Sequence, residues 1–299
     1  MLAASRHTVV AVVTGNTGAT ATGATVAGLA ARLGYRTWPA AQTREAVFAD
    51  EVRRERVDLL LNVNGSYLLP QPVVSAPVIG SFNLHPGPLP RYAGLNAPSW
   101  AIYHGERIHA ATWHWMDAGI DTGPLAYAAE FPVDPDETGL SLTGKCIRAG
   151  LPLLHDLLMD ALRQSIPRRP QPSGVRRYYG REMPHEGRLF WNESAERVVS
   201  FIRACDYLPF PSPWRPPRAY LAGREIAILK ASLTTESSDA IPGTVGRKLG
   251  GEILVSAADQ WVSVQWVRVG SSVLPAAEAL RPGEQFALPA PHGRISATR

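Results

Sequence analysis

The strand-forming run Val78 to Asn83 is followed at once by His85 and then by Pro86-Gly87-Pro88-Leu89-Pro90, a stretch that no regular strand or helix can continue through. Asn83 and His85 are two residues apart, so on an extended segment both side chains point to one face. The pair is thereby fixed at the carboxyl end of a strand, where open α/β sheets keep their ligands. A second turn-rich run, Met116-Asp117-Ala118-Gly119-Ile120-Asp121-Thr122-Gly123-Pro124, follows the alternating segment Ala110 to Met116 and sets a carboxylate on a tight loop.

The rest of the first half alternates strand and helix. Strands are expected at His7–Thr14, Arg36–Trp38, Val57–Val63, Val78–Asn83, Ala110–Met116 and Leu125–Phe131. Helices are expected up to Leu33, over Glu45–Arg56, over Ala97–Tyr103 and from Thr138 to Arg163, with a loop or short helix at Tyr67–Val74. This order predicts an α/β fold, a doubly wound, mostly parallel, Rossmann-like sheet over residues 1–165. Residues 166–187, dense in Pro, Arg and Gly, read as a linker. Residues 188–299 hold one helix and then short strands separated by glycine turns, which predicts a small β-barrel of the OB type.

Composition narrows the setting. A 299-residue chain that is 45% hydrophobic can bury a real core, and no apolar run reaches the length of a membrane span. Only Cys146 and Cys205 occur, which suits a reducing cytoplasm and leaves no disulfide framework. The formal charge of +4 favours anionic partners mildly. Arginine thickens from Arg163 to Arg188, including Arg168, Arg169, Arg176, Arg177 and Arg181, and is readable either as a phosphate-binding patch or as a solvated linker. Gly15, Gly18 and Gly23 do not have dinucleotide spacing, and Glu45 is the first acid in the chain, so a nicotinamide site is not expected. His104, His109 and His114 share no ligand face and no metal site is expected. His114 sits on a strand face with Thr112 and Met116 and reads as a structural histidine at the border of the site.

Asn83, His85, Leu89 and Pro90, followed by Asp117, Gly119, Asp121 and Gly123, resemble the folate-dependent formyltransferases, with Tyr92-Ala-Gly94 and Trp100-Ala-Ile102 between them. Pro211-Ser-Pro-Trp214 and Leu280-Arg-Pro-Gly283 are similar to that family's C-terminal domain. The resemblance implies Asn83, His85 and Asp121 as catalytic residues and 10-formyltetrahydrofolate as formyl donor. It implies a donor site at Tyr67, Leu68, Leu69, Val74 and Leu89 and the loop Met116, Asp117, Ala118, Gly119 and Ile120. The chemistry agrees. An amine attacking a formyl carbon builds charge on the carbonyl oxygen, which an Asn83 N–H and a protonated His85 would stabilise, with Asp121 keeping the imidazole charged or orienting a water. In the family a strand and helix precede the segment that Thr8–Thr14 resembles. Only seven residues do so here, so a missing or replaced first strand is expected.

The acceptor is expected to be a small-molecule amine, either an amino sugar (nucleotide-linked or not) or an amino-acid-type amine of peptide or antibiotic assembly. Residues 1–44 carry only Arg6, Arg32, Arg36 and Arg44, and no lysine precedes Lys145, so tRNA is the less favoured acceptor. A different acyl donor on the same machinery is the further alternative. The resemblance is compatible with a homodimer.

Overall fold

A computed structural model describes residues 6–15, 25–65 and 67–288. Gly18 and Gly23 of the glycine-bearing loop lie outside the described residues. The chain divides into two compact units. One holds residues 1–94, 110–131 and 146–178, and the other holds residues 95–109, 132–145 and 179–299.

In the first unit β1 (Val12–Thr14) and β2 (Thr37–Pro39) form a parallel pair, joined through α1 (Val26–Arg32). Thr25 caps α1 by accepting from the Gly28 amide at 3.0 Å. After α2 (Phe48–Arg54) come β3 (Leu59–Val63), α3 (Gln71–Val74), β4 (Gly80–His85) and β5 (Ala93–Gly94). Beyond α4 (Ala97–Tyr103), which belongs to the second unit, lie β6 (Ile108–Trp115) and β7 (Leu125–Pro132), then α5 (Gly139–Leu162) and β8 (Tyr178–Tyr179). A four-stranded sheet runs β3-β4-β6-β7. β3 is parallel to β4 and β6 is antiparallel to it, so this sheet is mixed where a mostly parallel one was expected. The first pair, β1-β2, forms a separate two-stranded sheet.

Period-two alternation decides which face of this sheet does what. Phe82 and Leu84 of β4 and Ala111 and Trp113 of β6 face one way and are buried with Ala126, Cys146, Leu154, Leu157 and Leu158. Each large member contributes about 1.5–3 kcal/mol by leaving water. Ser81, Asn83 and His85, with Thr112 and His114, take the opposite face. α5 closes onto the apolar face at a glycine: a Cβ on Gly150 would lie 2.6 Å from the Leu84 side chain. The Trp113 indole donates to the Gly150 carbonyl at 3.0 Å.

The second unit is built on α6 (Ala195–Ala204), whose contacts include α4, and on a six-stranded sheet. Its strands are β9 (Arg218–Leu221), β10 (Arg224–Ser237), β11 (Val245–Leu249), β12 (Glu252–Ser256), β13 (Gln260–Val269) and β14 (Ser272–Pro275), followed by α7 (Ala276–Ala279). The order is β11-β12-β13-β10-β9, with β14 also on β13. Among the described residues the edge strands β9 and β11 do not pair, so the expected barrel is not a closed one. β9 is short and β11 is irregular against β12, and among the described residues single bridges lie along the two edges, Arg188 to Arg218, Leu221 to Phe286 and Thr244 to Gln285.

At an exposed helical site Gly→Ala stabilises by about 1 kcal/mol. Gly150→Ala is expected to do the reverse, lowering stability by about 1–3 kcal/mol because Leu84 is packed and cannot withdraw. A urea midpoint at or above wild type would show that α5 is not seated on β4 as described.

Candidate active site

Strand register assembles the polar face. Asn62 of β3 is level with Asn83 of β4, and Asn83 is level with His114 of β6. The three side chains therefore form a row across the sheet. Asn62 Nδ2 donates to Asn83 Oδ1 at 2.8 Å, which turns the Asn83 amino group toward the other side. There it meets His114 Nε2 at 3.1 Å and Asp121 Oδ1 at 3.4 Å.

The loop after β6 carries Asp121 in a conformation dictated by its sequence. Asp117 Oδ1 accepts from the Gly119 amide at 3.0 Å and from Thr122 Oγ1 at 2.5 Å, closing an Asx-type turn. A Cβ on Gly119 would lie 2.1 Å from Thr122 Oγ1, and one on Gly123 would lie 1.9 Å from the Trp115 carbonyl oxygen. The two glycines of the motif are thus required by close approach. Asp121 itself is left-handed (φ 51°), a region that aspartate tolerates better than most residues. Its Oδ2 accepts from the Gly94 amide at 2.8 Å and lies 3.4 Å from His85 Nδ1, while Oδ1 lies 3.3 Å from His114 Nε2.

Partners fix the ring protons. His85 Nε2 lies 2.6 Å from the Tyr92 carbonyl, which only accepts, so Nε2 carries a hydrogen and Nδ1 faces Asp121. By the same argument His114 Nδ1, 2.8 Å from the Trp115 carbonyl, is protonated and Nε2 faces Asn83 and Asp121. Both imidazoles are 2% exposed, while Asn62 and Asn83 of the same row are half-buried. Burial pushes the His85 pKa below its ordinary 6.5, and this outweighs the attraction of Asp121. His85 is therefore neutral at rest, and the sequence-based picture of a standing imidazolium held by Asp121 is corrected. Burial would raise the Asp121 carboxyl, but the hydrogen bonds it accepts, the Gly94 amide's among them, bring it down to about 2.

Of the residues assigned from sequence, Asn83, His85 and Asp121 meet. Val74 and Met116 both approach Ser81: Ser81 Oγ donates to the Val74 carbonyl at 2.7 Å and the Met116 amide donates to the Ser81 carbonyl at 2.8 Å. Val74 and Leu89 are buried, Leu69 packs on the cluster around Phe48 and Val73, and Met116 and Ile120 are half-buried. Leu68 is 73% exposed, Tyr67 is exposed with Arg44 against its ring, and Asp117, Ala118 and Gly119 are exposed. Sequence reasoning set His114 aside as structural and did not single out Asn62. The signal for Asn62 was a lone amide inside the apolar run Leu59–Val63, but its level with Asn83 depends on register. The arginine-rich stretch is also more committed than a solvated linker. Arg168 lies 4.7 Å over the Trp115 ring, and Arg169 donates to the Ala126 carbonyl at 3.1 Å.

A buried neutral histidine makes stability depend on pH. Above pH 6.5 His85 has no effect; as pH falls below that value the unfolded chain takes up a proton that the folded chain refuses, and stability drops. The Asp121 contribution is intact above the ordinary 3.8 and is lost as pH falls from there toward about 2. His85→Gln is therefore expected to lose less stability than wild type between about pH 7.5 and about pH 5.5 in urea titrations. Parallel pH dependence of the two proteins would contradict the assigned burial of His85.

Comparison with known proteins bears on what this cluster belongs to. Residues 3–156 match the model of the formyl transferase family, and residues 183–282 match that of its C-terminal domain. The methionyl-tRNA formyltransferase of Burkholderia multivorans is 31% identical over 256 residues, covering 83% of this chain and 76% of that protein. Among solved structures, HypX from Aquifex aeolicus in complex with tetrahydrofolic acid superposes with a TM-score of 0.65 at 21% identity, covering 84% of this chain and 44% of HypX. WlaRD, a sugar 3N-formyl transferase solved in the presence of dTDP and 5-N-formyl-THF, superposes at 0.63 with 16% identity, covering 85% of this chain and 86% of that one. These structures share the fold, with its Rossmann-like N-terminal domain. Since the N-terminal family model alone covers just over half of the sequence, this chain belongs to the formyl transferase family.

Proposed function

We propose that this chain is an N-formyltransferase that moves a formyl group from 10-formyltetrahydrofolate to the amine of a small molecule. The observation that carries this reading is the meeting of half-buried Asn83 with buried His85 and Asp121, with His114 in the same row. The acceptor supplies the amine, and the donor supplies the electrophilic formyl carbon. As the neutral amine adds to that carbon, negative charge grows on the carbonyl oxygen. The Asn83 N–H that makes the long 3.4 Å contact to Asp121 is the donor free to turn to that oxygen. A preorganised donor of this kind is worth ~3–4 kcal/mol.

The proton is handled next door. With His85 neutral and Asp121 ionised, two lone pairs face each other across 3.4 Å, His85 Nδ1 against Asp121 Oδ2. That gap has room for one proton, and because burial disfavours the imidazolium the proton is held there only in passing. In this mechanism the gap takes the proton that the amine loses, directly or through a water, and returns it to the departing folate nitrogen. The apolar side chains of Tyr67 and Leu68, exposed beside half-buried Leu69, fit a flat ring, and the open backbone of Asp117–Gly119 fits its polar edge.

An amino sugar, nucleotide-linked or not, or an amino-acid-type amine is the favoured acceptor. WlaRD is a sugar enzyme, and residues 1–44 hold no basic cluster for RNA. The second reading, methionyl-tRNA, is supported by the names of the curated relatives. Two buried free cysteines suit a cytoplasmic setting, and among the described residues no helix is long and apolar enough to cross a membrane.

Asn83→Ala and His85→Ala are each expected to lower kcat by a factor on the order of 100–1000 with folding retained. Wild-type turnover in either variant would remove the mechanism. Mass spectrometry of formyl-folate reactions with amino sugars, their nucleotide conjugates, amino acids and initiator methionyl-tRNA is expected to show a gain of one CO on a small amine. Gain on the tRNA alone would establish the second reading.

A further inference from the structure

Asp121 is held by its main chain as well as by its carboxylate, and the holders come from residues 167–178, the stretch that reads from sequence as a linker. Arg176 Nη1 donates to the Asp121 carbonyl at 3.0 Å and Nη2 to the Ile120 carbonyl at 2.7 Å. Gln171 Nε2 donates to the carbonyls of Asp121 and Gly123, both at 2.8 Å. Two donors of the Arg176 fork are therefore engaged by protein carbonyls.

The stretch is anchored on either side of these contacts. At its start the Trp115 indole donates to the Pro167 carbonyl at 2.8 Å, and Arg169 exchanges backbone hydrogen bonds with Leu125. At its end the Arg177 amide donates to the Pro90 carbonyl at 3.2 Å, and the Arg177 carbonyl accepts from the Ala93 amide at 3.0 Å. The residue after Ala93 is Gly94, whose amide holds Asp121 Oδ2. One strap thus fixes the loop's carbonyls from one side and the carboxylate's backbone donor from the other.

We infer that Gln171 and Arg176 are positioning residues for the transfer reaction, holding the left-handed Asp121 so that its carboxylate stays between His85, His114 and the Gly94 amide. The inference rests on the reading of Asp121 as a reacting-site carboxylate. A non-glycine residue persists in that backbone region only where its surroundings impose it. The hydrogen bonds of Gln171 and Arg176 to Ile120, Asp121 and Gly123 supply that imposition. A guanidinium spans two carbonyls at a fixed separation, which a lysine ammonium does not.

The test compares Gln171→Ala, Arg176→Ala, Arg176→Lys and the double alanine variant with Asp121→Asn, reading kcat, KM and the carboxylate titration of 13C-aspartate-labelled protein. Arg181→Ala, an exposed side chain, is the control. Each strap variant is expected to lose kcat by about 10–100-fold with KM within about 3-fold of wild type, in keeping with misplacement of a catalytic group. Arg176→Lys should not restore kcat, and guanidinium ion at sub-denaturing concentration should partly rescue Arg176→Ala. An aspartate titration absent from Asp121→Asn should move up toward the ordinary carboxylate range in the double variant. An unmoved titration overturns the inference whether or not kcat falls. A moved titration with wild-type kcat upholds the positioning of Asp121 but overturns its catalytic use. Wild-type turnover in Asp121→Asn overturns that reading separately.

Discussion

The site depends on one buried carboxylate. Asp121 has both oxygens surrounded by groups fixed on different elements: Asn83 on β4, His114 on β6, His85 at the end of β4 and the Gly94 amide on β5. A carboxylate removed from water to this extent would take up a proton if left alone. These neighbours keep it ionised, down to about 2. Because these neighbours are the ones its carboxylate meets among the described residues, moving any one of them alters the other contacts. That makes the cluster a unit, and it explains why a loop residue sits in a left-handed conformation instead of relaxing.

Two ordinary regularities of sheets deliver the neighbours. Alternation along β4 and β6 sends Phe82, Leu84, Ala111 and Trp113 to α5 and sends Asn83, His85, Thr112 and His114 to the chemical face. Register then places Asn62, Asn83 and His114 level with one another. A slip of one residue would exchange the two faces and bury the polar row under α5. The packing of Gly150 on Leu84 is thus a condition for the site as well as for stability, since it holds β4 in register from behind.

Much of this was legible in the chain. The Pro86–Pro90 break announced the end of β4, and the two-residue spacing put Asn83 and His85 on one face. The glycines at 119 and 123 marked a tight loop around Asp121, and the structure gives the reason in their approach to Thr122 and to the Trp115 carbonyl. What stayed hidden were relations between distant segments. His114 looks structural until β6 is laid against β4, and its role depends on pairing direction, which no local pattern states. Arg176 sits in a stretch rich in Pro, Arg and Gly, where composition suggests solvated charge, yet its partners lie more than fifty residues away. The protonation state of His85 was misread for a related reason: sequence pairs a carboxylate with an imidazole but says nothing of burial, and burial is the larger effect here.

The central claim is that His85 rests as a neutral imidazole with its bare Nδ1 turned to an ionised Asp121, so that the pair has room for one proton during transfer. Two-dimensional 1H–15N NMR of the imidazole rings at neutral pH, with His85→Gln for assignment, reads this state directly. The account predicts a single protonated nitrogen on His85, Nε2, bonded to the Tyr92 carbonyl, with Nδ1 at the shift of an unprotonated nitrogen. A doubly protonated His85 under the same conditions would contradict it.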